Sequence, residues 1–223
     1  MSSSSPSARE PGRPPKARAT AARAADGRTE RGRQTRERIA DAMLALLEEG
    51  ETKFVAERIA ERAGVSRRLV FHHFEDLAQL ADAAITRRFE QLTAQVRPLP
   101  VEGAREARVA ALVEQRARIL EWITPTRIAI TRLENPSERI RQLMQQTLDF
   151  ARLRLAEVFA AELDGLSEDR RADLLNALDA VTAWSAWHHW RTVGLAPDQA
   201  RHTMEATVHA LLRAADAELS AER

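Results

Sequence analysis

The chain has 223 residues, 44% of them hydrophobic and 30% charged, with a formal net charge of +1 and no cysteine. The missing cysteines exclude disulfides and thiolate metal sites. No apolar run approaches the ~18 residues of a membrane span, and the start, MSSSSPSAREPGRPPKARAT, lacks the apolar core of a secretory signal. The composition is that expected of a soluble protein of the reducing cytoplasm with no membrane partner.

Ala, Leu, Arg and Glu dominate, Gly and Pro lie mostly between periodic segments, and no run of alternating β-branched residues competes. The predicted fold is therefore all-α. Charge is unevenly placed. Through Phe74 there are 15 basic and 10 acidic residues, a net of +5, and from Glu75 onward 19 and 23, a net of −4. Contact with a polyanion thus belongs to the front half.

Residues 1–30 are rich in Ser, Pro, Ala and Arg with almost no large apolar side chain, and are predicted to be a disordered basic tail. Its PGRPPKAR, Pro11 to Arg18, is similar to the core of the AT-hook, a minor-groove-binding tail, with Pro11 in place of the first arginine. Arg13 and the arginines from Arg28 to Arg33 are candidates for following the DNA backbone.

A first helix is expected from Arg33, with Ile39, Ala42, Met43, Leu46 and Leu47 on one face, closing at Gly50. A short second helix covers about 55–62 and a third about 67–73. A longer one runs from the Asp76 cap to Val96. Behind it, helices are expected over 104–123, 126–134, 136–163 (capped by Asn135, with Pro136 in its first turn), 167–193 and 197–219. Nine helices result, as a small unit of short helices over 31–80 and a bundle of longer helices over 81–223.

The stretch AGVSRRLVFHHF, Ala63 to Phe74, joins two of the short helices through Ala63, Gly64, Val65 and Ser66. Small residues let the helices approach, Gly64 can take a positive φ, Val65 can plug the gap, and Ser66 can cap the next helix. That is a helix-turn-helix. If Val70 and Phe74 face inward, Arg68 and His72 point outward, Arg67 and Phe71 form one flank and Leu69 and His73 the other. Arginines here can grip guanine O6 and N7, Phe71 can lie on a thymine methyl, and the histidines can donate to phosphate. A metal site fails, because adjacent helical residues point about 100° apart and no acid or thiol completes a ligand set.

The segment 36–80, with IAERAGVSRRLVFHHFEDLAQL at Ile59 to Leu80, resembles the DNA-binding region of the tetracycline-repressor (TetR) family. The resemblance rests on Ile59, Ala60, Ala63, Gly64, Val65 and Ser66, followed by Val70, Phe71, His72, His73 and Phe74. It implies a homodimeric transcription regulator, usually a repressor. Its rear domain would dimerise and bind a small-molecule effector, and its DNA would be a palindromic operator. By the same resemblance Arg67, Arg68 and Phe71 take base-reading places, and His72 and His73 phosphate-touching ones. Val55 and Ala56 replace the Ser or Thr usual before the second helix, Leu77 replaces a phosphate-binding Lys, and Leu69 stands where a small or polar residue is common. Lys53 and Arg33 are candidates for the grip that those changes remove.

In the rear half, WSAWHHWRTVG places Trp184, Trp187, His188 and Arg191 on one side of a helix. With Trp122 and Arg127 they are candidates for an effector pocket, and equally for core or dimer contacts. Met204, Val208, Leu211 and Ala215 form an apolar seam expected at a two-fold four-helix interface. A helical enzyme has no support, since there is no phosphate-cradling Gly-rich loop, nucleophile elbow or H-E-x-x-H helix, and no cofactor is expected. The rival to an operator-binding regulator is a sequence-blind architectural DNA-binding protein.

Overall fold

The computed structural model describes residues 15–51, 53–133 and 136–221, with side chains from Thr29 onward. Among these residues there are ten helices and no strand: α1 (Pro15–Glu48), α2 (Ala56–Ala63), α3 (Arg67–His73), α4 (Leu77–Gln95), α5 (Arg105–Thr131), α6 (Glu138–Val158), α7 (Ala160–Leu163), α8 (Glu168–Thr182), α9 (Trp184–Thr192) and α10 (Pro197–Ala221). No helix among them is long and apolar enough to cross a membrane.

Three apolar clusters organise the chain. The front one joins Ile39, Met43 and Leu46 of α1 to Ile59 of α2, Val70 and Phe74 beside α3, and Leu80 and Ala84 of α4. The rear one joins α5 through α10 around Trp187, Phe159, Leu178 and Val208. Between them, Ile85, Phe89 and Leu92 of α4 meet Ile130 of α5 and Ile140 of α6. Helix α4 therefore gives its first turns to the front core and its later turns to the rear.

Several boundaries differ from the periodicity, each for a local reason. The first helix starts at Pro15, so the backbone of 15–28, expected to be disordered, is helical. The hook-like Arg13 lies outside the described residues. Helix α5 runs through Pro125 instead of breaking there. A proline inside a helix removes one backbone bond. Here burial of Ile123 and Ile130 on either side holds the helix together.

The helix expected over 136–163 instead ends at Phe159, and Asn135, the expected cap, lies outside the described residues. Ser137 caps it, accepting from the Ile140 N–H at 3.2 Å, which leaves Pro136 outside the first turn. At the Phe159 break the Glu162 N–H bonds the Phe159 carbonyl at 3.1 Å. The carbonyl of Val158, released from the helix, accepts from Arg108. The helix expected over 167–193 divides at Ala183, which is extended (φ −76°, ψ 159°) and turns α9 onto α5.

A buried ionic network fastens α5 to α7 and α10. Arg108 and Glu162 are 5% and 6% exposed and form a two-pronged pair at 2.6 and 2.9 Å. Arg105 adds bonds to Glu162 at 3.0 Å and to Asp216 at 2.9 Å. Burial would raise the Glu162 carboxyl, but the hydrogen bonds from Arg108 and Arg105 outweigh it and hold the group below its ordinary value.

Candidate nucleic-acid interface

The turn between α2 and α3 has the geometry its residues dictate. Gly64 sits at φ 64°, ψ 40°, in the left-handed region where a side chain is disfavoured. The amides of Gly64 and Val65 close the helix end on the carbonyls of Glu61 and Ala60 at 3.1 and 2.9 Å. Ala63 is buried, and Val65 is half-buried against the front core. Ser66 starts α3, its hydroxyl accepting from the Leu69 N–H at 3.2 Å.

On α3 the outward and inward faces are those the helical period requires. Val70 and Phe74 are fully enclosed. Arg67, Arg68, Phe71 and His72 are exposed, while Leu69 and His73 are half-buried on the flank. Phe71, 41% exposed, is a large apolar ring facing solvent between two arginines and two histidines. The Arg67 guanidinium lies 5.4 Å from the centre of this ring. Arg67 also pairs with Glu57 of α2 at 2.9 Å, so it is held near the turn.

The two histidines meet edge to face at 5.4 Å. Burial, and then the charges of His72 and Arg36, lower the His73 pKa. Both effects disfavour the charged imidazolium of His73.

Arg36 was not among the residues singled out in the sequence. Its guanidinium lies 4.1 Å from the centre of the Phe74 ring and donates to the His73 carbonyl. It pins the C-terminal end of α3 to α1. The signal that marks it is position: it lies one turn before Ile39 and Ala40, on the face that α1 turns to the front core.

The anchoring residues are spread around this face. Val55 precedes α2 in extended conformation with no side-chain cap, as its side chain dictates. Leu77 is half-buried and packs against the front core. Asp76 caps that helix, accepting from the Gln79 N–H at 2.7 Å. Lys53 is exposed in the loop before α2. Arg33 is exposed on α1 and paired with Glu30 at 2.7 Å and with Glu37, so a DNA contact requires it to leave them.

Of the rear candidates, Trp122 and Trp187 line one open pocket beside Glu121 and Arg201, and the other four lie outside it. Trp187 is fully buried in the rear core, its indole N–H donating to Glu121 at 2.9 Å, and Arg191 binds the same carboxylate at 3.2 Å. Trp184 donates to the Thr124 hydroxyl at 3.1 Å, stacks on His188 at 4.6 Å and has the Arg127 guanidinium 5.0 Å from its ring centre. Trp122 lies under the guanidinium of Arg88 at 4.2 Å.

A separate cavity of about 410 Å³ opens between α4, α5 and α6, and none of the six lines it. The apolar seam of α10 is likewise taken up by its own chain. Met204 and Val208 are fully buried, Ala215 is buried and Leu211 packs against the same rear core, so this seam is not a face for a second copy.

A three-helix unit presenting a charged, aromatic helix beyond a capped turn, joined through α4 to a helical rear domain, is a helix-turn-helix, an arrangement suited to placing its second helix in a DNA groove. Residues 39–84 match the family model of bacterial regulatory proteins, tetR family. No curated protein matches the chain. Among solved structures, the fold is similar to a tetR-family transcriptional regulator from Streptomyces coelicolor, at 20% identity and TM-score 0.66, over 86% of this chain and 84% of that one. It is also similar to a transcriptional regulator from Rhodococcus sp. Rha1, at 21% identity and TM-score 0.55, over 80% of this chain and 96% of that one. The similarity to the tetR family model is confined to residues 39–84, and the fold as a whole is shared with both solved regulators.

Proposed function

We propose that the protein is a repressor that binds a palindromic operator as a homodimer and releases it in response to a small molecule. The observation that carries sequence reading is the exposed set Arg67, Arg68 and Phe71 on a helix whose opposite face, Val70 and Phe74, is locked into the core. Side chains held this way can enter a major groove as one rigid unit. In the dimer the two α3 helices would lie about 34–36 Å apart, one turn of duplex.

The second copy would meet the sides of α8 and α10 that face away from their own core, where Asn176, Ala180, Ala206 and Ala210 are exposed. The effector would occupy the cavity between α4, α5 and α6. Phe89 and Leu92 wall that cavity from α4, and Leu80 and Ala84 of the same helix belong to the front core. Arg87 and Arg88, also on α4, bind Asp41 at 2.9 Å and Glu48 of α1. A ligand that displaces α4 therefore moves the DNA-binding unit, provided it binds the two arrangements unequally.

The test is selection of bound sequences from a random duplex pool, followed by footprinting on the DNA upstream of the protein's own gene. A two-fold symmetric consensus with a protected site supports the proposal. Retention without sequence preference and with a steep salt dependence would instead identify an architectural protein.

A further inference from the structure

The cavity between α4, α5 and α6, about 410 Å³, falls within the ~300–1,000 Å³ of small-molecule sites. Its walls are mainly aliphatic and aromatic, from Phe89, Leu92, Ile119, Leu143 and Phe150, with Leu99 from the α4–α5 connection. Into this lining α5 places Arg116. Its Nη2 donates to the Ala151 carbonyl at 3.1 Å. The carboxylate whose charge reaches it, Asp179, is paired with Arg152 at 3.6 Å. The other arginine on the wall, Arg154, already has Glu157.

Among the described residues, then, Arg116 faces the cavity with a carbonyl partner and no carboxylate of its own. Arg116 is half-buried, and this burial lowers its pKa. A guanidinium nevertheless stays protonated at neutral pH. A half-buried cation with its donor fork largely unfilled is costly, and a carboxylate arriving in an apolar site would fill it with two parallel bonds.

We propose that this cavity binds an apolar monocarboxylate, its carboxylate on Arg116 and its hydrocarbon body against the walls from α4, α5 and α6. The proposal rests on the effector reading above and names its ligand class. Size follows from the volume: at ~30 Å³ for each water-sized group the cavity holds roughly a dozen heavy atoms, a medium-length acid. A single head group is implied because Arg154 is neutralised by Glu157.

Calorimetric titration of the full chain with octanoate, decanoate and dodecanoate, against the alcohols and amines of the same lengths, tests this. The best acid is expected to bind roughly tenfold to a hundredfold more tightly than its alcohol, the range of charge-assisted bonds, with the amine weakest. Arg116→Met should bring the acid down to the alcohol, Arg116→Lys should keep part of the preference, and Arg154→Met should leave it in place. Circular dichroism checks that the variants fold. Should Arg116→Met fail to fold, the wild-type acid-to-alcohol ratio and Arg116→Lys decide.

Alcohols binding as tightly as acids, acids that do not bind, or a preference that survives in Arg116→Met would overturn the proposal. The effector reading fails separately. Acid binding that leaves the operator footprint unchanged would keep the site and remove the regulation. Alcohols that release the operator as well as acids do would keep regulation and remove the carboxylate.

Discussion

Glu162→Gln is expected to destabilise the rear domain by about 3–5 kcal/mol, the usual consequence of leaving a buried charge without its partner. Arg108 is 5% exposed and directs two of its nitrogens at this carboxylate at 2.6 and 2.9 Å, so the amide would face a guanidinium that still carries its charge. Arg105 would keep Asp216 and be hurt less. The double replacement Arg108→Met with Glu162→Leu should recover much of the loss, because both charges then leave together. Its residual deficit, on the order of 1–3 kcal/mol, is the Val158 carbonyl left unpaired.

The sign of the pH dependence follows from the depressed Glu162 pKa. Its contribution is fully present above the ordinary carboxyl value of about 4.5 and is lost as pH falls through the lower folded value. The gap between wild type and Glu162→Gln should therefore be widest near neutrality and close in acid. All four tryptophans lie in α5 and α9, so urea unfolding followed by their fluorescence reports this domain directly. An unchanged midpoint in Glu162→Gln, or a gap that widens in acid, would refute the reasoning.

Other outcomes follow from the front unit. Val55→Thr should stabilise by roughly 0.5–1 kcal/mol in thermal unfolding, since the position already has the extended backbone of a cap and lacks only the oxygen. Gly64→Ala should cost about 1–2 kcal/mol at its φ of 64°. It should also lower DNA affinity through the misplaced α3, read by gel shift against the thermal midpoint. Arg36→Met removes the contact over Phe74 and the bond to the His73 carbonyl. It should weaken operator binding while costing about 1 kcal/mol in unfolding, and equal affinity would show that α3 needs no pin from α1.

The helix-turn-helix was legible because its determinants are local. Gly64, Ser66 and the alternation of Val70 and Phe74 with Arg67, Arg68 and Phe71 all act within a dozen residues, and α3 falls on 67–73 as its period requires. The rear domain was less legible because its determinants are distant. Pro125 reads as a break until Ile123 and Ile130 are seen to be buried on both sides of it. Nothing local to α9 shows that Glu121, some 66 residues away along the chain, takes the Trp187 indole N–H.

The cavity was invisible for the same reason. Phe89, Ile119 and Leu143 come from three helices, and each is an ordinary apolar residue where it stands. The α10 seam had the right period but the wrong partner. Periodicity marks a buried face and is silent on whether its own chain or a second copy buries it.

The most direct measurement is the affinity for a footprinted operator relative to a scrambled duplex, taken at fixed salt for the wild type, Arg67→Ala and Arg68→Ala. If α3 reads bases, each substitution lowers specific affinity by roughly 1–3 kcal/mol and leaves binding to the scrambled duplex nearly as it was. Equal weakening on both duplexes would assign these arginines to the backbone alone and contradict sequence reading by this helix.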